Sequence, residues 1–119
     1  MSTPDFPTIP GINTEEGLAR MMNKPSLYEK VLRDFHARFI DELPQLQALL
    51  AAADHDAAAH RVHSAKGLAG TIGASPLQDA ARQLEAPLRE GRTPDEALVG
   101  TFASELERVL QGISNAFPG

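Results

Sequence analysis

The chain has 119 residues, 42% of them hydrophobic, which suits one domain with a single core and leaves no room for a second. Its 11 Lys and Arg against 16 Asp and Glu give a formal net charge of −5, and that balance argues against non-specific nucleic-acid binding, which needs a clustered basic surface. There is no cysteine, so disulfide frameworks and cysteine-based zinc sites are excluded, and no stretch approaches the ~20 apolar residues of a membrane-spanning helix.

Met1 to Gly11 contains Pro4, Pro7, Pro10 and Gly11, a pattern that predicts an irregular leader, so residues 1–12 are expected to be a linker ahead of a domain over 13–119. Asn13 or Thr14 then caps a short helix reaching Met22. Glu15 and Glu16 stand in its first turn, where the helix dipole favours negative charge, and Leu18, Met21 and Met22 form its buried side. Pro25 suits the first turn of a second helix, along which Tyr28, Val31, Leu32, Phe35, Phe39, Leu43, Leu46 and Leu50 recur at steps of three or four. Pro44 interrupts that stripe. It removes a backbone donor and crowds the carbonyl of Ile40, so the helix is expected either to kink there or to split in two.

Asp54 is placed to cap the next helix and Gly73 to end it in a left-handed conformation. Ser75 with Gln78 fits a capping box for the helix after it, whose inner stripe is Leu77, Ala80, Ala81, Leu84 and Leu88 and whose stop is Gly91. Thr93, Pro94 and Glu96 repeat that logic. Leu98, Phe102, Leu106, Val109, Leu110, Ile113 and Phe117 mark the last helix. No alternating apolar and polar run supports a sheet, so the expected fold is all-α, an antiparallel four-helix bundle with a short extra N-terminal helix.

The helix from Asp54 to Ile72 carries the chemistry. Residues three and four apart share a helical face, which groups His60, His63, Lys66, Gly67 and Gly70 and sets Ala58, Val62, Ala65, Ala69 and Ile72 on the opposite side. Imidazole, with a reference pKa of ~6.5, keeps a nucleophilic lone pair near neutral pH. Phosphoryl transfer asks mainly for a positioned nucleophile and a nearby cation, and His63 with Lys66 supplies both. Glycine inside a helix costs ~1 kcal/mol relative to alanine; Gly67 and Gly70 are therefore read as clearance for a docking partner, with His60 as a further docking contact. Residues 59–67 contain no Asp or Glu, so a long-lived phosphohistidine is expected.

The run His63, Ser64, Ala65, Lys66, Gly67, followed by Ile72, Gly73, Ala74 and then Leu77, Ala81, Leu84 and Glu85, resembles the signature of histidine phosphotransfer (HPt) domains. It departs at Ala65, where that family usually has a larger aliphatic residue. The resemblance implies a carrier in two-component signal transduction and not an enzyme with its own substrate. His63 would take a phosphoryl group from the aspartate of one response-regulator receiver domain and pass it to another, with Lys66 stabilising its charge. It also implies no cofactor in this domain and magnesium on the receiver. Ile9, Pro10, Gly11 and Ile12, with Gly17 and Leu18, resemble the lead-in of such domains at the end of hybrid sensor kinases. A cytoplasmic monomer is expected, free-standing or within a membrane-anchored kinase, with no nucleic-acid or membrane contact of its own. Two other readings stand beside this one. Asp56, His60 and His63 have spacings that fit three metal ligands on one face, and a helical adaptor would need no covalent chemistry.

Overall fold

The computed structural model describes residues 6–118, and those residues form six helices and no strand. These are α1 (Thr14–Arg20), α2 (Pro25–Phe39), α3 (Glu42–Ala51), α4 (His55–Ile72), α5 (Ser75–Arg89) and α6 (Glu96–Ala116). Helices α2, α4, α5 and α6 close a ring in which each packs on the next and α6 returns to α2, the expected antiparallel bundle, 51 Å long in its largest dimension. The predicted stripes supply its core. Tyr28, Leu32 and Phe39 of α2, Val62, Ala69 and Ile72 of α4, Leu77, Leu84 and Leu88 of α5, and Phe102, Leu106 and Val109 of α6 are all buried.

Local chemistry sets most of the helix ends. The Asn13 side chain accepts from the Glu16 amide and the Asp54 side chain from the Ala57 amide, each satisfying a first-turn donor that has no intrahelical partner. Gly73, at φ +86°, ends α4. The amide of Ala74 bonds the Ala69 carbonyl while that of Gly73 bonds Gly70, the paired closure that a left-handed glycine permits. Gly91, at φ +72°, closes α5 in the same way.

One open alternative is resolved, and three expectations need correction. The second helix splits at Ile40 and Asp41, and Pro44 falls in the first turn of α3, where a missing amide hydrogen costs nothing. Neither capping box forms. Ala74 and Asp95 occupy the two cap positions without side-chain bonds, because the chain enters α5 directly from the Gly73 turn and places Ser75 already inside the helix. The short first helix ends at Arg20, ahead of Met22, which has φ +54° and is 69% exposed. Lastly, residues 6–12 of the expected linker pack on the bundle. Ile9 is buried and Phe6 stacks on Tyr28 at 4.9 Å between ring centres. Residues 1–5 of that linker lie outside the described residues.

Three close approaches fasten this N-terminal part beside the end of α4. The Tyr28 hydroxyl donates to the Ile72 carbonyl at 2.6 Å, and the Asn13 amide donates to the Gly73 carbonyl at 2.8 Å. A Cβ on Gly17 would run into the Tyr28 hydroxyl and stand 2.5 Å from the Ile72 carbonyl oxygen, so only glycine fits there. Burial pushes the Tyr28 phenol up to about 12, with Arg20 opposing and Glu16 adding to the shift; it stays a neutral donor.

Candidate functional site

His63 lies midway along α4, whose alanine-rich inner face packs closely on α5. Ala58, Ala65 and Ala69 are fully buried. Small side chains there let two helices approach, and that approach brings a residue of α5 to the histidine. Ala65, where a larger side chain was expected by resemblance, belongs to this close seam.

The His63 side chain is 56% exposed, and its Nδ1 lies 3.0 Å from Oε2 of Glu85 on α5. Glu85 is buried apart from a 7% residue. Its other oxygen, Oε1, is 2.7 Å from Lys66 Nζ, and Oε2 also accepts from Arg89 Nε at 2.9 Å. Burial acts to raise the Glu85 carboxyl pKa, but hydrogen bonds from Lys66 and Arg89, the charge of Lys66 and the contact with His63 outweigh it and hold the pKa below the usual carboxylate range. The group is therefore an anion at neutral pH, and an anion can only accept. It fixes the tautomer with the proton on Nδ1 and leaves the lone pair on Nε2, on the side of the ring away from Glu85.

The expected site residues divide in this geometry. His63, Lys66 and Gly67 come together. A Cβ on Gly67 would meet nothing within 4 Å, so the surface beside the imidazole is open there. Lys66 is 28% exposed and bound to Glu85, which commits one of its three donors. Gly70 is different. A Cβ there would strike the Gln78 side-chain amide, and its carbonyl accepts from Arg20 Nη1 at 2.7 Å. Gly70 is thus a crossing point between α4, α5 and α1, not an extension of the open surface. His60 is exposed on the same side, bordering a hollow shared with Arg38, Glu42, Arg61 and Ser64.

The absence of any acidic residue near His63 in sequence misleads, because Glu85 stands 22 residues away in the chain and a hydrogen bond away in space. A signal for it does exist: Glu85 interrupts the apolar stripe of Ala81, Leu84 and Leu88, and a carboxylate on a core-facing position requires a partner. Glu42, 5% exposed and gripped at both oxygens by Arg61 at 2.8 and 3.1 Å, is a second buried carboxylate of the same kind. Among the described residues no three His, Cys, Asp or Glu side chains gather as a metal-binding group, Asp56, His60 and His63 included. No helix of the described residues is long and apolar enough to cross a membrane.

One oriented imidazole on an open helical face, backed by a buried anion and two cations, defines a surface for exchange with another macromolecule more than a pocket for a small substrate. The model of the Hpt domain family matches residues 30–116, from within α2 to the end of α6, and the chain belongs to that family. No curated protein and no solved structure matches the chain. The family places it in histidine phosphotransfer within two-component relays, as a phosphoryl carrier.

Proposed function

We propose that His63 accepts a phosphoryl group from a receiver-domain aspartate through Nε2 and hands it to a second receiver. The observation that carries this reading is the His63–Glu85 contact at 3.0 Å, which keeps the proton on Nδ1 and presents the opposite lone pair to solvent. In the forward step the Nε2 lone pair forms the P–N bond as the P–O bond of the aspartyl phosphate breaks, and the bonding pair stays on the carboxylate oxygen. The Nδ1 proton is retained. The ring becomes cationic, and the Glu85 carboxylate faces that charge. In the return step a carboxylate oxygen of the next receiver's aspartate forms the new P–O bond as the P–N bond breaks, and the bonding pair returns to Nε2 and leaves the ring neutral.

Lys66, through the donors that Glu85 leaves free, meets the incoming phosphoryl oxygens, and charge stabilisation of this kind is the main help such a transfer receives. Gly67 keeps the approach clear, and the exposed His60 borders the docking surface. Magnesium belongs to the receiver, which must polarise its own aspartyl phosphate. Glu85 does not serve as a base for water, since both of its oxygens are already bound; the phosphohistidine is therefore long-lived. The domain works in the cytoplasm as a monomer, and the lead-in motif at Ile9–Ile12 favours a place at the end of a hybrid sensor kinase.

The test is incubation with a phosphorylated receiver domain. Label should move onto the chain in an acid-labile, base-stable form, and His63→Gln should lose it by at least a hundredfold while keeping the wild-type melting temperature. Equal labelling of His63→Gln would refute the assignment.

A further inference from the structure

Four cations stand on this part of the surface, and three are paired with carboxylates. Lys66 and Arg89 share Glu85, and Arg61 is held by Glu42. The fourth, Arg38, stands near the end of α2. Asp34 stands one turn before it on α2, and Glu42, past the break between α2 and α3, lines the same hollow, but Asp34 pairs with Lys30 at 3.0 Å and Glu42 with Arg61. Among the described residues Arg38 has no carboxylate within ion-pair distance; its guanidinium carbon lies 5.5 Å from the centre of the Phe39 ring. The side chain is exposed, and no core packing accounts for it.

Arg38 also borders the space that the imidazole faces. A shallow depression of about 450 Å³ is lined by Arg38, His63, Ser64, Gly67, Leu68 and Thr71. Glu85 holds Nδ1 on the α5 side, so Nε2 is turned away from α5, and α2 is the other bundle helix that packs against α4. Of the lining residues, Arg38 is the one with a permanent positive charge. On the Glu85 side, two cations set against one carboxylate leave a single positive charge. A phosphoryl group brings close to two negative charges.

We infer that Arg38 is a second phosphoryl-binding cation, reaching across the depression from α2 to the group carried on His63 Nε2, opposite Lys66. This rests on the phosphohistidine reading above and adds to it a residue from a different helix. Arginine suits the role because its planar fork offers two parallel donors to phosphate oxygens. The Phe39 ring beneath it favours a guanidinium over an ammonium.

The experiment uses phosphoramidate as a small phosphoryl donor, which releases ammonia as His63 is labelled and needs no receiver. Arg38→Gln should be labelled roughly tenfold more slowly than wild type, the low end for a hydrogen bond to a charged group. Its melting temperature should be unchanged, and Arg38→Lys should recover part of the rate. Labelling of Arg38→Gln at the wild-type rate overturns the inference. So does a variant slowed only when a phosphorylated receiver is the donor, since Arg38 would then be pairing with a receiver carboxylate and not with the phosphoryl group. Wild-type transfer from a receiver is measured alongside: its absence refutes the parent reading, whereas its presence with an indifferent Arg38→Gln refutes this inference alone.

Discussion

Two glycines on the histidine helix, one turn apart, do different work. Gly67 faces open space, while the Cβ position of Gly70 is covered by the Gln78 amide. Gly67→Gln should therefore lower the rate of phosphoryl transfer from a receiver about tenfold or more by blocking approach, without loss of stability, as an exposed helical glutamine is if anything favoured over glycine by several tenths of a kcal/mol. Gly70→Ala should leave transfer near wild type and leave the melting temperature unchanged or raised, because the exposed Gln78 side chain can swing aside and alanine is favoured over glycine in a helix by up to ~1 kcal/mol. Paired kinetics and thermal melts check both, and an unchanged rate in Gly67→Gln would remove the clearance role. Sequence spacing puts both glycines on one helical face. It could not separate them, because what fills the space beside a glycine comes from another helix.

At the level of the elements, the helices themselves were legible and their junctions were less so. Periodicity reports burial along one helix, so the stripes of α2, α4, α5 and α6 and the caps at Asn13, Asp54 and Gly73 are readable. The break at Ile40 follows from Pro44 once a split is weighed against a kink. The docking of residues 6–12 was hidden, since Pro7 and Pro10 look the same in a free linker and in a segment packed on the bundle. Glu85 is legible as a carboxylate on an apolar stripe, but its partner His63 is not, since that contact exists only through α4–α5 packing. The clamp between α1, α2 and the end of α4 yields a direct prediction. Tyr28→Phe leaves the Ile72 carbonyl without its 2.6 Å donor in a buried setting, a loss of about 1–2 kcal/mol, and for a domain of this size a fall in melting temperature of roughly 4–10 °C. A melt within 1 °C of wild type would show that the bond contributes nothing net.

For the whole molecule, the buried anion that orients the histidine also ties stability to pH. Glu85 has its folded pKa held below the ordinary carboxylate value of ~4.3, so the unfolded chain takes up its proton first as the solution is acidified. The stabilisation from Glu85 is present in full above that unfolded value and is lost as pH falls through the lower, folded one. Urea melts across pH 6 to 3 should show stability falling below about pH 4.5. Glu85→Gln should be less stable at pH 6 and show a shallower decline; parallel curves for the two proteins would mean that Glu85 is not the linked group. The same side chain thus joins packing, electrostatics and the state of the imidazole, and its protonation would release Lys66, Arg89 and His63 together.

The measurement that bears most directly on this account is the identity of the phosphorylated ring nitrogen in the labelled chain, read by NMR from the couplings between phosphorus and a ¹⁵N-labelled His63 ring. With Nδ1 held by Glu85, phosphorus should sit on Nε2. Phosphorus on Nδ1 would contradict it, because that atom would then have to leave the carboxylate that positions it.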